Sequence, residues 1–282
     1  MTWLNIYASS KRRVKIYVSP DCRDDKHRVE LSSGTRFAND SGIHDGDYEI
    51  DACVPREPWR TPTSKERAHL FSRTSPKTIG RSVSIVRLPE TFSAERMDRP
   101  RLANKELIKR QIIASLQRIC SLGGELTPIG PVNNSANLKT TTTGNERKKY
   151  IGLHVDSWQE ADLDRRDLSN NRICVNLGVG PRYFLFIPVS IVEIARIVSK
   201  EIGDENIPNE YPSELGRMFM QLYPAFPVIR CRVAPLEAYI APTENLVHDG
   251  SSEGSLHLDR QFTVLGRILI HRRQKAHAKR QR

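Results

Sequence analysis

Tyr150–Trp158 reads Tyr-Ile-Gly-Leu-His-Val-Asp-Ser-Trp, and its alternation decides the fold. In an extended chain, residues i and i+2 point to the same face, so His154 and Asp156 share one. Strand-like runs follow in quick succession: RICVNLGV, RYFLFIPV, FPVIRCRVA, LEAYIAP and QFTVLGRILI. VSIVEIARIVSKEI (189–202) and SELGRMFMQLY (213–223) carry helical spacing between them. Short strands at this interval predict an antiparallel barrel or sandwich with helices packed outside.

Upstream of 150 the pattern is weaker. VKIYV (14–18) and SVSIVRL (82–88) alternate as strands. Asn104–Leu122 carries apolar residues at three- and four-residue steps and is predicted helical, ended by Gly123-Gly124. Pro128–Gly144 has turn chemistry throughout and reads as a loop. Residues 55–80, with Pro55, Pro58, Pro62 and Pro76, read as a linker or mobile cover.

The 282 residues carry 44 basic and 33 acidic side chains, net +11. The excess is segregated. Residues 61–102 have nine basic and four acidic side chains, and 271–282 have six and none. Residues 1–60 and 103–270 are each balanced. A nucleic-acid-binding domain is expected to carry its excess on the folded body, so nucleic acid is not an expected partner. Five cysteines at long, irregular gaps exclude a disulfide framework or a Cys-x-x-Cys zinc site, and fit a reduced, cytoplasmic setting. The longest uncharged apolar run, Tyr183–Val192, is far short of the ~20 residues of a membrane helix, so no membrane partner is expected.

Ninety-four residues after His154 comes His248, just past the strand LEAYIAP. Two imidazoles and one carboxylate on one side of an ion make the facial triad of non-haem Fe(II), with open positions for other ligands. Arg260 follows at the start of a strand, and its guanidinium fork matches a carboxylate. A second His-x-Asp, His257-Leu-Asp259, has no room after it for the intervening strands. A variant pairing uses His257 as the distal ligand with Arg267 as the anchor; His248 is preferred for its place after a strand. His44-Asp45-Gly46-Asp47 reads as a turn. Gly178-Val-Gly180-Pro lacks the third glycine of a dinucleotide fingerprint and reads as a hairpin flanked by Arg172 and Arg182, either of which could meet an anionic group. Trp158 is expected in the core, with a pocket wall as the other option, and Asn176 is a possible inward ligand contact.

The order His-x-Asp, several strands, His, then Arg resembles the Fe(II)- and 2-oxoglutarate-dependent dioxygenases. The resemblance covers about residues 150–270. It implies a mainly β fold with helices: a double-stranded β-helix, a jelly roll of cupin-like architecture. It implies Fe(II) at His154, Asp156 and His248, with Arg260 holding the far carboxylate of the co-substrate 2-oxoglutarate. It also implies O2 as a reactant, and succinate and CO2 as products. The expectation is a single oxygenase domain over 1–270, with core strands at about 150–270, a supporting region 1–149, and a disordered basic tail 271–282. Its substrate would be a small molecule such as an amino acid or specialised metabolite, oxidised or hydroxylated. Two other readings stand beside it. One is a non-catalytic interaction protein that holds nucleic acid through 61–102 and the tail. The other is a cupin-like metalloenzyme that does not use 2-oxoglutarate.

Overall fold

The computed structural model describes residues 2–22, 27–39, 48–89, 105–144, 148–203, 205 and 212–270. The tail 271–282 and the His44–Asp47 cluster lie outside the described residues. The elements before the core are α1 (Trp3–Ser9), β1 (Lys15–Val18), β2 (Val29–Leu31), β3 (Gly34–Phe37), β4 (Tyr48–Arg56), α2 (Ser64–Leu70), β5 (Ser82–Arg87) and α3 (Lys105–Gln117). There follow β6 (Cys120–Asn134), β7 (Tyr150–Gly152), β8 (Asn171–Asn176), β9 (Arg182–Ser190), α4 (Ile191–Ile202) and α5 (Pro212–Leu222). The chain closes with β10 (Ile229–Val233), β11 (Glu237–Ala241), β12 (Leu246–Ser251) and β13 (Asp259–Ile270).

A major sheet runs β1-β5-β11-β8-β13-β6, and a minor sheet runs β12-β9-β10-β2. Just past β7, His154 pairs antiparallel with His248 and so joins that strand to the free edge of β12. β7 lies in a third, three-stranded sheet with β3 and β4; from β8 onward the chain passes back and forth between the major and minor sheets, and only β9 and β10 are consecutive within one. This is a double-stranded β-helix, mainly β with helices packed outside, as the resemblance implied. No described helix is long and apolar enough to cross a membrane.

The layers follow from alternation. On β8, Ile173 and Val175 join Ile112 and Leu116 of α3 in one apolar cluster, together with Phe262 and Val264 of β13. Arg172 and Cys174, being one residue out of phase, therefore point into the barrel. β9 is apolar on both faces because both are covered. Phe184 and Phe186 stack inside, while α4 and α5 pack outside through Ile194, Val198, Leu215 and Phe219. α4 starts at Ser190, whose hydroxyl accepts from the Glu193 amide. Within 55–80, α2 begins with a reciprocal cap: the Glu66 amide donates to the Thr63 hydroxyl, and the Thr63 amide donates to the Glu66 carboxylate.

Three local expectations are corrected. The predicted helix 104–122 ends at Gln117, and Gly123-Gly124 lies inside β6. The predicted loop 128–144 is β-strand as far as Asn134. Pro128 and Pro131 are tolerated because β6 lies at the end of the sheet, where a missing amide costs no ladder bond. The Gly178–Pro181 turn joins β8 of one sheet to β9 of the other, so it is a crossing and not a hairpin.

Candidate metal centre

His154, Asp156 and His248 meet at the seam between the two sheets. One ligand atom from each lies within 4.8 Å of the others. His154 Nε2 is 3.7 Å from Asp156 Oδ1, and His248 Nε2 is 3.6 Å from Asp156 Oδ2. The ring centroids of the two histidines are 4.8 Å apart. All three residues are buried, His248 at 2% exposure and the other two at 8%.

Each imidazole is oriented by its own strand. His154 Nδ1 lies 2.9 Å from the Gly152 carbonyl oxygen, and His248 Nδ1 lies 3.0 Å from that of Leu246. A carbonyl only accepts, so Nδ1 carries the proton in both rings. That leaves each Nε2 lone pair facing Asp156. Gly152 makes the first contact possible. Its φ of +67° is open to glycine, and a Cβ there would sit 2.4 Å from the Cys53 carbonyl oxygen.

Charge is concentrated here. Burial alone would raise the Asp156 carboxyl, but His248, His154 and the Arg172 guanidinium outweigh it and hold the group far below the usual carboxylate range. Burial pushes His248 down to about 3, so it is a neutral lone-pair donor near neutral pH. Burial would also lower His154, but Asp156 and Asp249 outweigh it and raise that imidazole.

The donor set suits a metal ion. The arrangement of two neutral-capable imidazoles and one carboxylate matches a facial set for non-haem iron. The Asp156 Oδ2 atom is buried without an aligned hydrogen bond, although Arg172 Nη2 stands 2.7 Å away. The guanidinium meets the carboxylate on one side, and the side that faces the two Nε2 atoms is where a metal ion would be held.

Arg260 is not part of this cluster. It alternates in phase with Phe262 and Val264 of the α3-facing cluster, is exposed, and lines a surface hollow with Leu177, Leu256 and His257. The structure therefore does not bring the expected co-substrate anchor to the triad: Arg260 lies on the outer face, five residues along β13 from Leu265, which pairs with Arg172. His257 and Arg267 are exposed too, so the variant pairing does not form either.

Among the described residues, two buried cations flank the inner face of β8, Arg172 and Arg182. Arg182 is spent on Asp259, with Nε–Oδ1 at 2.8 Å and Nη2–Oδ2 at 3.4 Å, both side chains almost fully buried. Its Nη1 also lies 3.3 Å from Cys174 Sγ. Arg172 keeps a buried Nε without an acceptor. Burial works against its charge, but Asp156 and Tyr239 outweigh that and hold the guanidinium protonated. Trp158 is not core: it is 57% exposed and lies under the Arg172 guanidinium at 5.9 Å. Asn176 is consumed locally by Gly178, Gly180 and Val233.

Two residues were not singled out from sequence. Arg166 is buried and donates to the carbonyls of Asp156 and Glu244, tying the loop after Asp156 to the turn before β12. Asp249 has its Oδ1 held by Thr141, Thr142 and Gly250, and its Oδ2 lies 3.9 Å from His154 Nδ1. The phase of β12 could have flagged Asp249; nothing local marked Arg166. A cleft of about 250 Å3, walled in part by Asp51, Cys53, Ser213 and Arg217, reaches His154 from the α5 side.

No protein-family model matches the chain, and no curated protein matches it. Among solved structures, one described as an iron and alpha-ketoglutarate-dependent endoperoxidase, NvfI, in a different conformation, is similar at 11% identity. The match covers 89% of this chain and 100% of that one, with a TM-score of 0.38. A single-substitution variant of the same enzyme is similar at 11% identity over 87% and 99% of the two chains, with a TM-score of 0.36.

Proposed function

We propose that the chain is a non-haem Fe(II) enzyme that uses 2-oxoglutarate and O2 to oxidise a small molecule, within a single domain spanning 1–270. The observation that carries it is the triad: His154, Asp156 and His248 present three ligand atoms within 4.8 Å, with both imidazoles oriented through Nδ1. These residues would hold the iron, which when bound supplies O2 activation coupled to oxidation of the co-substrate. Arg172 takes the role first expected of Arg260. Its guanidinium is on the inner face of β8, is next to the triad, and has a buried N–H to give. A carboxylate there would be paired rather than buried alone. Arg166 positions the Asp156 segment, and Asp249 steadies His154.

The displacement of Arg260 also favours a second reading, a metalloenzyme that needs no 2-oxoglutarate. One experiment separates them. Iron-loaded protein is given 2-oxoglutarate and O2, and succinate is measured. Succinate formation that disappears in His248→Ala is the expected result. Metal binding without any succinate would favour the second reading.

A further inference from the structure

The two imidazoles of the triad have different surroundings. Behind His248 stands the Leu246 carbonyl, 3.0 Å from Nδ1. Behind His154 stand two acceptors: the Gly152 carbonyl at 2.9 Å, and Asp249 Oδ2 at 3.9 Å from the same Nδ1. Asp249 follows His248 in β12, yet it serves the other histidine. His154 and His248 exchange backbone hydrogen bonds, at 3.0 and 2.8 Å, so the residue after one lies beside the other.

The two oxygens of Asp249 are used unequally. Oδ1 accepts from the Thr142 hydroxyl at 2.8 Å and from the amides of Thr141, Thr142 and Gly250 at 3.3, 3.2 and 2.6 Å. Oδ2 is buried and has no hydrogen bond. The residue is fully buried, and among the described residues its ion pair is with His154. A buried carboxyl group with one oxygen unused is costly. The donors on Oδ1 fix the group, so that the unused oxygen faces the imidazole. The segment that supplies them is also tied to β7, since the Ile151 amide donates to the Thr142 carbonyl at 3.0 Å. One segment therefore holds both Asp249 and the strand that leads to His154.

We propose that Asp249 is a positioning residue of the metal centre, acting through His154. It rests on the reading of the triad as a metal site. Its free oxygen is the second acceptor for the His154 Nδ1–H and engages when a metal ion is held at Nε2. A bound cation makes the Nδ1–H a stronger donor, and a carboxylate accepts more strongly than a carbonyl. At 3.9 Å the contact is not yet a hydrogen bond. One of about 2.8 Å requires the two groups to approach by roughly 1 Å. The centre is then asymmetric, with a carboxylate behind His154 and only a carbonyl behind His248.

The test titrates the full chain with Co(II). Asp249→Asn is isosteric. Its amide oxygen keeps the donors of Oδ1, and its NH2 faces the Nδ1–H, donor against donor. It is expected to weaken Co(II) binding by about tenfold to hundredfold. Thr140→Val loosens the same segment elsewhere, because the Thr140 hydroxyl donates to the Tyr48 hydroxyl at 3.1 Å. It is expected to lower stability and to leave Co(II) affinity unchanged. Equal losses of affinity in the two variants would mean that Asp249 only anchors the segment, and would overturn the proposal. So would wild-type affinity in Asp249→Asn. A wild type that binds no Co(II) would overturn the metal centre and this inference together. A second readout is the NMR spectrum of Zn(II)-loaded protein with 15N-labelled histidine. The Nδ1 protons of the two metal-bound imidazoles are expected at different positions, the one on the carboxylate further downfield, and Asp249→Asn should move that one alone. Should the variant fail to fold, the wild-type spectrum decides: coincident resonances would overturn the proposal.

Discussion

The two faces of the major sheet are built from the same strands and do opposite work. The outer face is apolar: Ile173, Val175, Phe262 and Val264 pack against Ile112 and Leu116 of α3. The inner face carries Arg172, Cys174, Asp259 and Gln261, with Arg182 reaching in from β9. Burying such polar groups is costly unless each has a partner. The outer face thus contributes burial energy, and the inner face holds an arrangement of charge. Arg172 and Arg260 differ in face and in place along the paired strands: Arg172 lies opposite Leu265, five residues on from Arg260, and it touches the triad while Arg260 is exposed.

The largest stability effect is expected from the inner face. Asp259→Ala leaves the Arg182 guanidinium buried without its carboxylate, which typically costs about 3–5 kcal/mol. Urea unfolding should show it, while Arg260→Ala on the other face should change stability by less than about 0.5 kcal/mol. Equal losses for the two variants would mean that the faces are not partitioned as described.

A smaller effect, on co-substrate binding, sharpens the same contrast. At saturating iron, Arg172→Gln should raise the KM for 2-oxoglutarate by at least about a hundredfold, at ~1.4 kcal/mol per decade. Arg260→Gln and Arg267→Gln should stay within about twofold. Arg172→Lys should fall between, because it keeps the charge and loses the fork. A large effect at Arg260 alone would return the anchor to β13.

The smallest effect lies outside the barrel, in α2. Glu66 is held down to about 2, first by Arg60 and also by the Thr63 amide and hydroxyl, against the opposing effect of burial. Because its folded pKa is depressed, its contribution is fully present above the unfolded value of about 4.3 and is lost as pH falls toward 2. The stability difference between wild type and Glu66→Gln should therefore shrink over that window. A difference that does not vary with pH would remove the ionised cap.

The strands of the core were legible because their alternation is strong. Tyr150–Trp158 placed His154 and Asp156 on one face, and RICVNL and RYFLFIPV are β8 and β9 in the structure. The phase of the last strand was not legible. QFTVLGRILI has apolar residues on both parities, since Phe262 and Val264 face α3 while Leu265 does not share their face. Nothing local says which side Arg260 takes. β6 was hidden because its glycines and prolines are turn residues everywhere except at a sheet edge.

The most direct measurement is anaerobic titration of the full chain with Fe(II), with Co(II) as a spectroscopic stand-in. One ion per chain is expected in the wild type. His154→Ala, Asp156→Ala and His248→Ala should each lose it while keeping the circular dichroism of the native fold. His257→Ala should bind as the wild type does, because that imidazole is exposed and away from the triad. Stoichiometric binding that survives in His248→Ala, or that is lost in His257→Ala, would contradict the assignment of the metal centre.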